Sequence, residues 1–244
     1  MRISSPRYRR GPLLAELPEH GSPKAARILA AAGELLLSRG SKGVTIAEVA
    51  TKAHVGKGTV YLYWKTKEDL LLGLISRDFV ALADEVVAAV TADPELARPS
   101  RLGPNMLEVA ARHPYVNALQ TGDDVLLGVL ADDPRSATLL ETLGAGAFLH
   151  HILPIWRRHD LARTDWEVAD QAFALQALLA GFLTAAPSIG SRLPVDDPAR
   201  VFAASITALL GPERATPEQV KLAAEEGIRS LEGGRAVALG IISG

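Results

Sequence analysis

A short stretch of the sequence concentrates side chains that can bind phosphates and the edges of nucleobases. Lys57 and Lys67 can neutralise phosphate charge, and Thr59 can bond to a base edge and touch a thymine methyl group. Tyr61 and Tyr63 carry hydroxyls that can reach a phosphate backbone. This set favours DNA binding. The alternative is a small helical hairpin whose rings fill a core and whose lysines are simply solvated.

The rest of the chain offers no convincing catalytic or metal-binding set. His150 and His151 are adjacent, so on a helix they point about 100° apart and do not face one metal ion. Ser188 lacks the Gly-x-Ser-x-Gly context of a nucleophile elbow. The sequence has no cysteine, which excludes disulfides and thiolate metal sites. We therefore expect no catalytic residue, no metal, no cofactor and no enzymatic activity.

The elements around these side chains have the pattern of a helix-turn-helix. Thr45 is a good N-cap for one helix, and the break at residues 54–56 precedes a second, short helix from Lys57 to Trp64. We expect Gly56 to permit the sharp bend between them. Ser22-Pro23 begins an earlier helix that ends at Gly40. Three such helices predict a DNA-binding domain with its second hairpin helix in the major groove. Its predicted core contains Ile28, Leu35, Ile46, Val49, Ala50, Val60 and Trp64.

This stretch closely resembles the DNA-binding domain of the tetracycline-repressor (TetR) family of bacterial transcription regulators. The residues that carry the resemblance are Gly40, Thr45, Ile46, Glu48-Val49-Ala50, Val55 to Tyr61, Tyr63, Trp64, Lys67 and Leu70-Leu71. His54 stands where the family usually has Gly, Gly56 where Ser is common, and Trp64 where Phe is usual. The expected DNA contacts come from Thr45, Lys57, Gly58, Thr59, Tyr61, Tyr63 and Lys67.

Composition and charge agree with a helical, DNA-binding chain. Of 244 residues, 48% are hydrophobic, with alanine and leucine prominent, so a helical core can form. Residues 1–70 hold 12 Lys or Arg and 6 Asp or Glu, a net charge of +6. The remainder holds 14 and 22, a net charge of −8. A basic front end on an acidic body is typical of an electrostatic DNA footprint confined to one domain.

The sequence after residue 70 predicts a helical body. A helix from Lys67 to about Ala92 belongs to both parts, and a later helix runs from about Arg135 to His159 with a kink at Pro154. The helix from Asp165 to about Ala186 is apolar on nearly every side, which requires a cover that a second subunit can supply. We interpret the uncharged run from Gln171 to Ser191 as a buried or interface helix rather than a membrane span.

The family resemblance implies a homodimer and a small-molecule pocket in this body. By position, the paired interface helices are Asp165–Ala186 and Pro198–Leu210. The predicted interface residues are Phe173, Leu175, Leu179, Phe182, Phe202 and Ile206. The candidate polar pocket residues are Asn117, Gln120, His150, Trp156 and Gln176.

The predicted organisation is all-α with four segments. These are a flexible basic arm at 1–22, a helix-turn-helix domain at 23–70, an effector-binding and dimerisation body at 71–232, and a loose tail at 233–244. We predict a cytoplasmic, dimeric transcription regulator, a repressor released from a near-palindromic operator by a small-molecule effector. Two alternatives stay open. One is a regulator that responds to a protein partner, and the other is an enzyme or carrier with a vestigial DNA-binding head.

Overall fold

The computed structural model of the chain describes residues 17–184 and 195–243, and within these ranges it contains helices and turns but no strand. We number the α-helices in chain order. The first five are α1 Pro18–Gly21, α2 Pro23–Arg39, α3 Ile46–Lys52, α4 Lys57–Tyr63 and α5 Lys67–Ala92. The next five are α6 Pro99–Ala111, α7 Pro114–Thr121, α8 Asp124–Leu127, α9 Pro134–Leu143 and α10 Ala145–Arg158. The remaining described helices are α11 Val168–Thr184, α12 Pro198–Leu210 and α13 Pro217–Ser243.

Helices α2, α3 and α4 form the N-terminal domain, and their ends are set by the predicted caps. Ser22 and Thr45 accept hydrogen bonds at the starts of α2 and α3. Thr66 and Asp69 form a reciprocal capping box at the start of α5. All seven residues predicted for the domain core are buried, from Ile28 to Trp64. The predicted all-α class with an N-terminal helix-turn-helix is confirmed.

Helix α5 joins the two parts of the molecule. It spans Lys67–Ala92 as predicted, and it packs on α2 of the N-terminal domain as well as on α7 and α13 of the body. Leu70, Leu71, Ile75 and Val86 are fully buried along it. A movement of α5 relative to the body therefore moves the N-terminal domain with it.

Two body helices differ from the sequence prediction. The expected single helix from Arg135 to His159 is two helices, because Gly144 has an extended backbone (φ −64°, ψ 166°) between α9 and α10. Pro154 lies within α10 without ending it. Helix α11 begins at Val168 rather than Asp165, because Arg157 binds the carbonyl oxygens of Thr164 and Trp166 and holds the preceding residues in a loop.

The prediction of a loose tail at 233–244 was wrong for the residues that the structure describes. Helix α13 continues to Ser243 and packs along α5, and Ala238 is fully buried. The glycine signal has a packing cause. A Cβ on Gly234 would lie 2.2 Å from Leu143 Cδ2, so the missing side chain lets α13 approach α9 closely.

The predicted arm is described only at its end. Residues 1–16, with four arginines, lie outside the described residues, as do residues 185–194 of the long apolar run. Residues 18–21 form the short helix α1, and Arg77 of α5 donates a hydrogen bond of 2.8 Å to Glu19. None of the described helices is long and apolar enough to cross a membrane.

Candidate nucleic-acid interface and effector cavity

The turn between α3 and α4 is made by a left-handed residue. His54 has a φ of +55°, and the next residue, Val55, donates its N–H to the carbonyl of Ala50 at 2.9 Å. Gly56 has φ −75° and ψ 151°, an extended conformation open to any residue. The expectation that Gly56 permits the bend is therefore corrected: the bend lies at His54, where the family resemblance implies Gly.

Four of the predicted DNA contacts lie on the outside of α4 or along its edge. Lys57, Gly58 and Tyr61 are exposed, and Thr59 is partly buried beside the inward-facing Val60. The side chains of Lys57, Thr59 and Tyr61 form no hydrogen bond or ion pair with the part of the chain that the structure describes. They are available to an external partner of the kind predicted.

The other predicted DNA contacts have partners inside the chain. Tyr63 Oη lies 2.6 Å from Ser22 Oγ, which ties the end of α4 to the start of α2. Lys67 Nζ donates to the carbonyl of Ser41 at 3.2 Å. Thr45 Oγ1 donates to Glu48 Oε2 at 2.8 Å while capping α3. These contacts set the positions of the three residues, and their DNA contacts stay predictions.

Sequence reasoning missed Leu62, the most exposed large hydrophobic side chain in the described residues. Its side chain is 81% exposed on α4, one helical turn after Gly58. Lys65, just past the end of the helix, is also exposed. The helical spacing from Gly58 could have identified Leu62, because residues four apart share a face.

The N-terminal domain is fastened to the body by a buried junction. Ser41 Oγ donates to the carbonyl of Leu127, the last residue of α8, at 2.7 Å. Gly40 has φ +66°, and a Cβ there would lie 2.0 Å from the carbonyl oxygen of Val125. Position 40 requires glycine, because a side chain would clash with the Val125 carbonyl and because the positive φ is unfavourable for other residues.

An ion pair adds a second fastening at the same junction. Arg135 of α9 binds Asp69 at the start of α5 at 2.7 Å and also holds Asp133, the N-cap of α9. The hydrogen bond from Arg135 lowers the pKa of both carboxyl groups, and the Asp69 pKa is lowered further by Thr66. Tyr115 of α7 completes the junction against Gly33 of α2, and burial raises the pKa of this tyrosine to about 12.

The body encloses an apolar cavity of about 90 Å³ between α5, α6, α7, α9, α10, α11, α12 and α13. Its walls include Phe79, Leu102, Met106, Phe148 and Leu179. The polar lining side chains are few: Gln120, Thr142, His151, Trp156 and Ser230. Trp156 donates its ring N–H to the carbonyl of Ala97 at 2.9 Å, so its polar atom already has a partner. Apolar walls with a few polar groups suit a largely apolar ligand.

Two of the five predicted pocket residues line the cavity, and the other three do not. Gln120 and Trp156 line the cavity. Asn117 is partly buried on α7 and His150 is exposed on α10, and neither is part of the lining; His151 takes the place predicted for His150. Gln176 lies outside the lining, against Gly146 of α10.

The predicted interface residues also separate into two groups. Phe173 is 75% exposed on α11 and remains a candidate for a subunit contact. Leu175, Phe202 and Ile206 are buried and line the cavity, so their assignment to the interface is corrected. Leu179 also lines the cavity, and the ring of Phe182 lies 4.4 Å from that of Phe202. The exposed face of α11 and α12 consists mainly of small residues beside Phe173, among them Ala177, Ala180, Gly181, Ala204 and Ala208.

The described residues hold no group of three or more His, Asp or Glu arranged to bind a metal ion. His150 and His151 have ring centroids 6.0 Å apart at an interplanar angle of 79°. Both residues are exposed on α10.

Comparisons with known proteins identify the N-terminal domain. Residues 28–74 match the family described as "Bacterial regulatory proteins, tetR family". The matched residues begin within α2 and end within α5, so they contain the whole α3–turn–α4 unit. The chain is also 27% identical over 177 residues to the "Fatty acid metabolism regulator protein" of Bacillus subtilis (strain 168), covering 64% of this chain and 90% of that protein.

Solved structures share the fold over most of the chain. The fatty acid degradation regulator FadR from Bacillus halodurans aligns with a TM-score of 0.54 and 21% identity, over 80% of this chain and 98% of its own. FadR from Bacillus subtilis, in complex with stearoyl-CoA, aligns with a TM-score of 0.55 and 16% identity, over 76% and 97%. The similarity extends well beyond the N-terminal domain and includes the helical body.

Proposed function

We propose that this chain, which belongs to the tetR family of bacterial regulatory proteins, is a DNA-binding repressor whose effector is a fatty acyl thioester of coenzyme A. It is a transcription regulator that binds operator DNA through α4 and responds to a small molecule bound in its body. We place its action in the cytoplasm, where bacterial DNA is found.

The apolar cavity carries the proposal of an acyl effector. Its lining is nearly continuous hydrocarbon and aromatic surface, which favours an extended alkyl chain over a polar metabolite. The polar lining groups Gln120 and Thr142 flank the α9–α10 break, since Gln120 accepts a hydrogen bond from Ala145 at 3.3 Å. We place the thioester near this break and the far end of the chain toward Phe202 and Ile206.

The relatives support the same class of effector. One relative is named for the regulation of fatty acid metabolism, and its alignment with this chain covers 90% of that relative's length. Another was solved in complex with stearoyl-CoA, and its fold is the one found here. We therefore choose a long-chain acyl-CoA as the first compound to test.

One continuous stretch of the chain both lines the cavity and holds the N-terminal domain. Val116 and Gln120 of α7 and Thr142 of α9 face the cavity. Between them, Leu127 binds Ser41 and Arg135 binds Asp69. A ligand that displaces α7 or α9 therefore acts on the same backbone that fixes the N-terminal domain. We propose that the effector stabilises a body conformation in which two α4 helices no longer fit the operator together.

The proposed mode of DNA binding needs two copies of the chain. A dimer formed through α11 and α12 would present two α4 helices to two half-sites about one DNA turn, roughly 34–36 Å, apart. The operator is then a near-palindrome. The exposed apolar face around Phe173 supports this arrangement, since such a face on α11 has no cover in the described part of a single chain.

The test measures operator binding with and without the effector. DNA from beside the protein's own gene would be labelled, and fluorescence anisotropy would follow its release from the full-length protein. We expect stearoyl-CoA to weaken binding at least tenfold and coenzyme A alone to leave it unchanged. Stearate shows whether the thioester and nucleotide are needed. Specific DNA binding that no acyl-CoA alters would contradict the proposed effector and leave the DNA-binding function standing.

A pair of variants on α6 tests whether stearoyl-CoA releases the operator by binding in the cavity. Ala110 lines the cavity, so Ala110→Leu should fill space that the acyl chain needs and raise the stearoyl-CoA concentration for half-release about tenfold. Ala111 is exposed on the same helix, so Ala111→Leu is the matched control and should behave as wild type. Equal behaviour of both variants would place the acyl-CoA elsewhere.

A further inference from the structure

Leu62 is an exposed leucine on the helix that the repressor presents to DNA. Its side chain is 81% exposed, while Val60, two residues earlier on α4, is fully buried. Leu62 does not belong to the hydrophobic core or to the partly buried residues packed against it. Its size and apolar character therefore have no explanation in the packing of the described part of the chain.

The neighbours of Leu62 show which kind of surface it faces. Gly58 lies one turn earlier on the same face of α4, and Tyr61 and Lys65 are exposed beside it. Lys57 adds a second exposed cation, and no carboxylate lies within α4. An apolar side chain between a tyrosine and two lysines complements a partner that is anionic at its edges and has apolar groups at its centre. The DNA major groove has this composition, with phosphates on both rims and thymine methyl groups on its floor.

Gly58 supports the same partner independently. A Cβ at this position would have no heavy atom within 4 Å, and the backbone is helical, so neither space nor conformation within the described chain requires glycine. Glycine within a helix is less favourable than alanine, because it loses more conformational freedom on folding. A close approach by an external partner accounts for it. With no side chain at Gly58, this face of α4 can lie deep enough in a groove for Leu62 to reach its floor.

We infer that Leu62 contacts the 5-methyl group of a thymine in each operator half-site and makes the protein discriminate thymine from other bases there. The inference rests on the DNA-binding function proposed above and adds a specificity-determining residue to it. Leucine has no polar side-chain atom, so its preference among bases depends on the methyl group alone. The contact is hydrophobic, so it should contribute to affinity without changing its salt dependence.

The experiment removes the thymine methyl group and the Leu62 side chain, first separately and then together. The wild-type full-length protein would select its operator from random-sequence duplexes, and each thymine would then be replaced in turn by uracil, which lacks only the 5-methyl group. We expect one uracil per half-site to weaken wild-type binding about fourfold or more. Leu62→Ala should weaken binding to the thymine operator by a similar factor and be insensitive to that uracil. Leu222→Ala, which truncates an exposed leucine on α13, is the control and should respond to uracil as wild type does.

The outcomes separate this inference from the function on which it rests. If Leu62→Ala and wild type lose the same factor at every uracil position, Leu62 does not read a methyl group, and DNA binding itself is unaffected. A wild-type protein that selects no sequence would overturn both. Because Leu62 is exposed, its truncation should leave the thermal midpoint near that of wild type, and a Leu62→Met variant should retain most of the response to uracil.

Discussion

His54 has a backbone conformation that is unfavourable for its residue type. It is exposed, its φ is +55°, and its side chain has no hydrogen-bond partner among the described residues. Left-handed backbone is accessible to glycine but costs about 1–2 kcal/mol for most other residues. The turn is nevertheless formed, because the buried residues of α3 and α4, among them Val49, Ala50 and Val60, fix the backbone on both sides. The histidine therefore reduces the stability of the domain at the centre of its DNA-binding unit.

Replacing this histidine by glycine should stabilise the protein. His54→Gly relieves the backbone strain and loses part of the gain to the greater freedom of glycine in the unfolded chain, so we expect about 0.5–1 kcal/mol. The midpoint of thermal unfolding should rise by roughly 2 °C. His54→Ala keeps the unfavourable φ and serves as the control. A glycine variant no more stable than the alanine variant would show that the turn carries no strain.

Helices α7, α8 and α9 decide how the N-terminal domain is held. They are short, their caps are polar, and between them they supply the Leu127 carbonyl, Arg135 and the ring of Tyr115 to the junction. Helices α7 and α9 also line the cavity, through Val116, Gln120 and Thr142. Short helices with few buried residues shift more easily than α5, so they are suited to transmit a displacement from the cavity to the junction with the N-terminal domain.

Removing the ion pair of the junction should uncouple the effector from DNA. Arg135→Leu leaves Asp69 without its partner on α9, so displacement of α9 should act less on the start of α5. We expect the ratio of operator dissociation constants with and without stearoyl-CoA to fall about fivefold, a change typical for coupling residues. Arg101→Leu breaks an exposed pair with Asp93 far from the junction and is the control. An unchanged ratio would mean that the ion pair is not part of the coupling.

The pKa of Asp69 predicts the pH range in which this contact works. Its pKa is lowered, chiefly by the hydrogen bond from Arg135, from an ordinary value of 3.8. A carboxyl group with a lowered pKa in the folded state contributes stability that is complete above its ordinary pKa and is lost as the pH falls through the lowered value. The contact should therefore be fully formed throughout the neutral range and fail only in strong acid.

At the scale of the molecule, one face of the body remains uncovered within the described chain. Phe173 is the most exposed aromatic residue among those the structure describes, and it lies on α11 beside alanines and glycine that would allow close helix packing. The inward face of the same helix is occupied by Leu175 and Leu179, which line the cavity. Helix α11 therefore separates the cavity from the proposed subunit contact, so a ligand bound in the cavity would act on how two subunits meet.

A charge on this face should break the dimer. Phe173→Asp would place a carboxylate in the proposed subunit contact, where leaving it unpaired costs several kcal/mol, while the cavity and the core stay intact. We expect light scattering to give the mass of a single chain and operator affinity to fall at least a hundredfold, since one α4 then reads one half-site. Leu222→Asp on α13 is the control and should stay dimeric. A dimeric Phe173→Asp variant would move the interface to another face.

The sequence by itself determined the N-terminal domain and its DNA-binding role. The caps at Ser22, Thr45 and Thr66 and the helical spacing of the core act over one or two turns, so a local pattern contains the information that forms α2 to α5. The exposed residues of α4 could also be placed from the same spacing.

The arrangement of the helices in the body depends on tertiary contacts that the sequence pattern does not reveal. Periodicity identifies apolar faces but does not say what covers them, and so Phe202 and Ile206 were assigned to a second subunit although α6 and α11 of the same chain cover them. The Gly144 break, the helical end of the chain and the hydrogen bond from Ser41 to Leu127 depend on contacts between residues far apart in sequence. Long-range packing therefore forms the cavity and connects it to the DNA-binding helices, whose lysines and tyrosines the sequence pattern identifies.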